Sequence, residues 1–198
     1  MSSVLERLAN EVGVNERTLR RAVSGGLIHA RRPSSRRLDL PDSETAWVRH
    51  NWPLVRRLLA VLRTEPNVEL AVLFGSVARG ADVEDASDVD LLVELRRPSP
   101  GALEELRGRL DKRLRSDVQL VPLQAALRNP RLLSEVLRDG RPLVDRGYVW
   151  TRLQAERERT QVQADRAGRK LREEARAAVG YFQRLAAERT SSSTGATL

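Results

Sequence analysis

Residues 73–80 read Leu-Phe-Gly-Ser-Val-Ala-Arg-Gly, and residues 87–93 read Ser-Asp-Val-Asp-Leu-Leu-Val. The first stretch closes an apolar run, Val68 to Phe74, that has the length of a strand and ends at a glycine. Ser76 stands where a helix would begin. A strand, turn and helix in this order expose backbone N–H groups that, with the positive end of the helix dipole, suit a chain of phosphates. The stretch therefore predicts a phosphate-binding turn at Gly75 and Ser76.

Two carboxylates open the second stretch. Asp88 and Asp90 stand two residues apart at the head of an apolar run, so on a strand both would face the same side. Paired carboxylates repel each other unless a cation lies between them, and hard oxygen ligands favour Mg²⁺ or Mn²⁺. Two such ions can orient an attacking hydroxyl and stabilise a pyrophosphate leaving group. The pair therefore predicts a two-ion site for nucleoside triphosphate chemistry.

Three further residues are candidates for the same site. Asp117 heads a third apolar run, 117–122, in the position that Asp88 has in the second. It is predicted to hold a metal ion or to take the proton from the incoming hydroxyl. Arg79, one turn beyond Ser76, is predicted to contact the nucleotide together with Ser87. A loop arginine is more often a solvated charge, and that alternative stays open for Arg79.

The order and spacing of these residues resemble the DNA polymerase beta-like nucleotidyltransferases and, within them, the minimal nucleotidyltransferases (MNT). The resemblance covers roughly residues 67–147, and it includes 132–144, which look like the closing helix, glycine turn and strand of that domain. It implies an α/β (α+β) fold with a mixed sheet. It also implies that Asp88, Asp90 and Asp117 are both catalytic and metal-binding. Two alternatives remain: the fold without catalysis, or aspartates that merely begin strands.

The first forty residues show a helix-turn-helix pattern, with apolar residues at helical spacing, Gly13 as a breaker and Asn15 as a cap. They resemble excisionase-like and MerR-like winged DNA-binding domains. The resemblance implies DNA contacts from the second helix and phosphate contacts from a basic hairpin. The DNA contacts of the second helix would come from Asn15, Arg17, Thr18 and Arg21. The phosphate contacts of the hairpin would come from Arg31, Arg32, Arg36 and Arg37. A docking or oligomerisation module is the alternative.

Charge is unevenly distributed along the chain. Residues 1–66 hold twelve arginines and seven acidic residues, a net +5, while 67–147 have a net −1 and 148–198 a net +4. Basic ends are typical of polyanion binding, although surface arginines often only increase solubility. The chain has no cysteine and no apolar run long enough to span a membrane. We therefore expect a cytoplasmic protein without a membrane partner.

The remaining segments are predicted to be mainly helical. Residues 43–66 form a connector that is capped by Ser43, kinked or divided at Pro53, and packed on the sheet through an apolar side that includes Trp47 and Trp52. Residues 148–190 form a helical extension that either packs back on the domain or serves as a partner-binding or dimerisation arm. Residues 191–198 are predicted to be a disordered tail. The predicted domains are thus a winged unit, 1–42, and a nucleotidyltransferase domain, 67–147.

These features favour a metal-dependent transferase that moves a nucleoside monophosphate, AMP from ATP in the leading hypothesis, onto a macromolecular hydroxyl. The MNT resemblance implies an antitoxin that adenylylates a HEPN ribonuclease toxin, and a DNA-binding unit would suit self-regulation of its operon. One alternative is a transcription regulator that senses nucleotide without turnover. Another is a toxin-like enzyme that adds nucleotides to tRNA.

Overall fold

A computed structural model describes residues 3–34, 37–81 and 88–193. It begins with two short helices, α1 (Val4–Glu11) and α2 (Glu16–Ser24). Ser3 and Glu6 cap α1 reciprocally, and the Asn15 side chain accepts a hydrogen bond from the Arg17 N–H at the start of α2. Gly13, at φ 66°, makes the turn between them. The antiparallel strands β1 (Arg31–Ser34) and β2 (Arg37–Asp39) follow, so the predicted two helices and hairpin are present.

The predicted connector is one helix, α3 (Asp42–Leu62), which includes Pro53 without being divided there. Of the two predicted alternatives at Pro53, the division is wrong, because burial of the apolar side along the whole helix compensates for the missing N–H, and the kink stays a prediction. Ser43 is not the cap, since α3 begins at Asp42 after Pro41. Trp47 and Trp52 are buried, which confirms that they are packing residues.

The centre of the molecule is a four-stranded mixed sheet in the order β5-β4-β3-β6. Strand β3 (Val68–Phe74) pairs antiparallel with β4 (Val89–Leu95) and with β6 (Arg141–Asp145), whereas β4 and β5 (Val118–Pro122) are parallel. Four helices connect these strands: α4 (Gly75–Arg79), α5 (Ala102–Leu114), α6 (Leu123–Leu127) and α7 (Pro130–Asp139). The predicted runs from Val68, Asp88 and Asp117 thus all lead into strands of one sheet.

The sheet is covered on both faces. Leu73 and Leu91 belong to a hydrophobic core that α3 and α5 share and that continues to Leu8 and Leu19 in α1 and α2. Residues of the opposite face, such as Leu92, pack with α6 and α7. Alternation along β4 therefore sends Val89 and Leu91 to the first face and Asp90 to the second. The N-terminal helices are thereby part of the same core as the sheet.

The chain ends in α8 (Val149–Ala155) and α9 (Arg157–Ser193). The beginning of α9 packs on α7, where the Ser134 hydroxyl donates to the Gln161 side chain and Ala164 is buried. Farther along, Leu171 and Val179 are exposed. The first part of the extension thus packs back on the domain as predicted, whereas a partner-binding or dimerisation arm stays a prediction for the rest. Helix α9 continues through the first three residues, 191–193, of the predicted tail. Among the described residues, no helix has the length and apolarity that a membrane span requires.

Candidate active site

The predicted turn and the predicted carboxylates meet where β3 ends and β4 begins. Phe74 is the register partner of Asp90, and α4 starts at the next residue, Gly75. Gly75 has φ 77°, and a Cβ there would collide with the Asp90 carboxylate, since only 2.9 Å would separate it from Cγ. Any other residue at this position would have a strained backbone conformation and would displace the carboxylate that lies against it.

Asp90 is in an unfavourable electrostatic environment. Burial, followed by the negative charge of Asp88, raises the pKa of the Asp90 carboxyl from 3.8 to about 6, and the nearby Arg79 lowers it in part. Two neighbouring carboxylates, of which the buried Asp90 has a raised pKa, are a donor set that a hard divalent cation would stabilise. Asp88 and Asp90 therefore fit the predicted metal, and Arg79, although exposed, lies close enough to act on Asp90.

Asp117 lies beside the pair along the sheet, but it does not complete a cluster. Val89 is the parallel partner of Val118, and its N–H donates to the Asp117 carbonyl at 2.9 Å, so Asp88 and Asp117 precede neighbouring strands. The Asp117 side chain is exposed. Within 3–34, 37–81 and 88–193, no three His, Cys, Asp or Glu side chains are placed to hold a metal ion. The structure thus brings Asp88 and Asp90 together without gathering the predicted three-carboxylate ligand set.

Ser76 and Arg79 occupy the two ends of the predicted phosphate-binding helix. Ser76 is the second residue of α4 and is half-buried, whereas Arg79 is the last residue and is exposed. The helix has only five residues and is closed by Gly80 in the left-handed region, as the Arg-Gly sequence allows. The predicted nucleotide ligand Ser87 lies outside the described residues.

A buried polar network next to the site was not predicted from the sequence. The Arg141 guanidinium forms a two-pronged ion pair with Glu44, with N···O distances of 2.7 and 2.8 Å, and lies over the Trp47 ring at 3.8 Å. It also donates to the carbonyls of Ala78, in α4, and of Leu27, after α2. Because 97 residues separate Arg141 from Glu44, no local pattern in the sequence signals this pair.

The predicted DNA-contacting residues of α2 are all at the surface. Asn15, Arg17, Thr18 and Arg21 are exposed, and Asn15 also caps the helix. Thr18 and Arg21 border a cleft of about 270 Å³ that separates α2 from Pro142 and Leu143 of the sheet. Of the predicted hairpin contacts, Arg31 is exposed in β1, Arg32 and Arg37 belong to β1 and β2, and Arg36 lies outside the described residues.

Comparison with known families agrees with this geometry. The model of the family "Polymerase beta, Nucleotidyltransferase" matches residues 56–148, from within α3 to the residue before α8. This range contains the turn at Gly75, all three predicted aspartates and the complete mixed sheet. The fold of this part of the chain is therefore that of the polymerase beta-like nucleotidyltransferases.

Several solved toxin–antitoxin structures are similar to the chain. A chain of the toxin–antitoxin structure with AMP-PNP is 26% identical to this chain, with a TM-score of 0.44. The match covers 65% of this chain and 98% of the chain in that structure. The MntA–HepT complex and a complex of tri-AMPylated HEPN toxin with MNT antitoxin from Shewanella oneidensis are each 25% identical over 67% of this chain and 98% of that chain, with TM-scores of 0.41 and 0.42. All three TM-scores lie below 0.5. No curated protein matches the chain.

Proposed function

We propose that this chain is a metal-dependent nucleotidyltransferase that transfers AMP from ATP to a hydroxyl of a macromolecule. The observation that carries the proposal is the contact between Gly75 and the Asp90 carboxylate, beside Asp88, within the segment that matches the nucleotidyltransferase family. A strand and a phosphate-binding turn that meet at paired carboxylates are the arrangement that nucleotidyl transfer needs.

Asp88 and Asp90 would hold the divalent cation in this reaction. Bound there, Mg²⁺ supplies charge neutralisation for the triphosphate and for the pyrophosphate that leaves. Gly75 lets the backbone approach the phosphates closely, because any side chain at this position would push the Asp90 carboxylate away. Arg79 adds positive charge on the same side, as its effect on the pKa of Asp90 indicates.

The chemical step would form one bond and break one. The acceptor oxygen attacks the α-phosphorus of ATP, and the bond between the α-phosphorus and the bridging oxygen breaks, so that pyrophosphate leaves with the electron pair. We assign the proton of the acceptor hydroxyl to Asp117, an exposed residue that precedes β5 as Asp88 precedes the neighbouring strand β4. Asp117 would act here as a base, for which it does not need to bind the metal.

We further propose that the acceptor is a HEPN-type ribonuclease toxin, following the MNT resemblance, and that the N-terminal unit binds DNA. Support for the second part comes from the exposure of Arg17, Thr18 and Arg21 on one helix, and from the net +5 of residues 1–66. The test is a binding assay with the DNA upstream of the gene, in which Arg17→Ala should weaken binding at least fivefold. Unchanged binding would remove α2 from the DNA interface.

The direct test of the transferase uses purified protein, Mg²⁺ and each α-labelled nucleoside triphosphate in a lysate of the host. Label from ATP should enter material that protease digests, and the signal should disappear when Mg²⁺ is chelated. Ribonuclease-sensitive label would instead identify a tRNA acceptor. If nucleotide binds and no label is transferred, the chain is a nucleotide sensor and the transferase proposal is wrong.

A further inference from the structure

We infer that Arg141 is a positioning residue, which holds the helix α4 in the place that the proposed nucleotidyl transfer requires. The inference rests on the proposed function for its catalytic consequence. Its structural basis is a set of buried contacts that do not include the carboxylate pair. Arg141 does not contact the site of the reacting atoms, and it acts through the backbone of α4.

Both hydrogen bonds that fix the end of α4 come from one buried group of side chains. The Arg141 Nε donates to the Ala78 carbonyl at 2.7 Å, and the Trp47 Nε1 donates to the Val77 carbonyl at 2.8 Å. A five-residue helix has few internal hydrogen bonds, and at its C-terminal end the Gly80 N–H is shared between the carbonyls of Ser76 and Val77. The two side-chain donors therefore contribute strongly to where the C-terminal end of α4 lies.

The group is built so that Arg141 has little freedom. The guanidinium lies over the Trp47 ring, both of its Nη atoms bind Glu44, and the side chain is only 4% exposed. A lysine has neither the planar fork nor enough donors for these partners. Because removal of either charge would leave the other buried and unpaired, Glu44 and Arg141 hold each other in place.

A shift of α4 would reach both ends of the proposed nucleotide site. Gly75 begins the helix against the Asp90 carboxylate, and Arg79 ends it beside the same carboxylate. Five residues of helix move as one unit, since they span only about 7.5 Å. Misplacement by about 1 Å at such a site lowers the rate by as much as about a hundredfold.

The same guanidinium connects α4 with the N-terminal unit. Arg141 Nη1 donates to the Leu27 carbonyl at 3.1 Å, and the His29 N–H donates to Glu44 at 2.9 Å. The segment that follows α2 is thus bound to the residues that hold α4. The N-terminal unit contributes structurally to the catalytic turn instead of acting as an independent tether.

The test compares Arg141→Lys with Arg146→Lys by amide hydrogen exchange. Arg146 follows the same strand and is the matched control, since it also donates to several backbone carbonyls, those of Leu62, Glu65 and Val68, at a distance from α4. Exchange of the amides of 75–81 should be at least tenfold faster in Arg141→Lys, with the rest of the sheet little changed. In Arg146→Lys the acceleration should be confined to the region of 62–68.

If Arg141→Lys does not fold, Trp47→Phe tests whether the buried donors hold α4 in place. This variant removes one donor to α4 and keeps a ring under the guanidinium. Exchange in 75–81 should then rise severalfold. An unchanged exchange rate in these residues in a folded Arg141→Lys, or in Trp47→Phe, would overturn the positioning role.

Transfer kinetics supply the second readout. In folded Arg141→Lys, kcat should fall at least tenfold, while Arg146→Lys should keep wild-type kcat at a temperature where both are folded. An equal loss in both variants would mean that Arg141 is only structural and would overturn the inference. If wild-type protein transfers no nucleotide, the proposed function fails, and hydrogen exchange still decides whether Arg141 holds α4.

Discussion

Two charged groups border α4, and their charges are balanced in different ways. At the C-terminal end, buried Arg141 and Glu44 neutralise each other, and the guanidinium meets two carbonyls and an aromatic ring as well. At the N-terminal end, Asp90 lies beside Asp88 with Arg79 exposed and only partly compensating, and burial raises the pKa of Asp90 to about 6. The first group needs nothing beyond the chain, whereas the second would be stabilised by a cation.

The difference indicates a division of roles along one short helix. A fully satisfied buried network rigidifies its surroundings, which suits a support. A carboxylate pair that remains under electrostatic strain has binding energy available for a metal ion and its nucleotide. We therefore expect substitutions at the carboxylate end to affect transfer more than stability, and substitutions at the arginine end to affect stability as well as transfer.

The largest effect is expected for Asp90→Ala. Loss of this carboxylate removes half of the pair that would hold the ion, so Mg²⁺-dependent transfer of α-labelled ATP should fall by about a thousandfold. The melting temperature should not fall, because the variant relieves repulsion with Asp88. Asp165→Ala, at an exposed aspartate of α9, is the control and should retain activity. Substantial transfer by Asp90→Ala would remove this residue from the site.

Glu44→Gln should have the largest effect on stability. The substitution leaves the Arg141 charge buried without a counter-ion. The free energy of unfolding, measured with urea, should therefore fall by about 3–5 kcal/mol. Glu11→Gln, which breaks the exposed ion pair with Arg49, is the matched control, and no measurable change is expected there. Similar small changes in both variants would contradict the difference between the two regions.

Gly75→Ala should lower transfer by about a hundredfold, because its Cβ would collide with the Asp90 carboxylate and displace it. Gly80→Ala separates this collision from backbone strain. Gly80 also has a positive φ, 118°, but a Cβ there would have no neighbour within 4 Å. Gly80→Ala should lower the free energy of unfolding by about 1 kcal/mol and keep most of the transfer activity. Equal activity losses would show that strain, and not the carboxylate, explains the glycine at position 75.

The smallest effect concerns pH. Because the folded pKa of Asp90 lies above its ordinary value of 3.8, its contribution to stability is fully present below that value and is lost as pH rises through about 6. Without metal, Asp90→Asn should therefore be more stable than wild type above pH 6, by about 1 kcal/mol after allowance for partial solvation. The two should converge near pH 4. Asp165→Asn controls for the loss of a charge, and a pH-independent difference would count against the shifted pKa.

Much of this fold could be predicted from local sequence patterns. The apolar run of Val68 to Phe74 is β3, residue for residue, and the helix predicted to begin at Ser76 is α4, which begins one residue earlier, at Gly75. The runs after Asp88 and Asp117 are strands, and Asn15 and Gly13 mark the boundaries of α2 and of the turn before it. These features depend on the periodicity of apolar residues and on the positions of glycine and helix-capping residues, which can be read directly from the sequence.

Other features depend on packing between distant residues. Pro53 is a local signal for a break, and tertiary burial of α3 overrides it. Arg141 and Glu44 meet only because β6 and α3 are adjacent in the fold, and a lone arginine before a proline gives no sign of this. For Asp117 the spacing predicts the strand correctly, but strand position does not determine whether its side chain reaches the other two carboxylates.

The most direct test of the difference between the two ends of α4 is the pKa of Asp90, measured by carbon-13 NMR of labelled carboxyl groups with and without Mg²⁺. We predict a value near 6 without the ion and one below about 4 when Mg²⁺ is bound, since the cation would offset both burial and the Asp88 charge. An ordinary pKa in the absence of metal, or a raised value that Mg²⁺ leaves unchanged, would contradict the assignment of this carboxylate pair as the metal site.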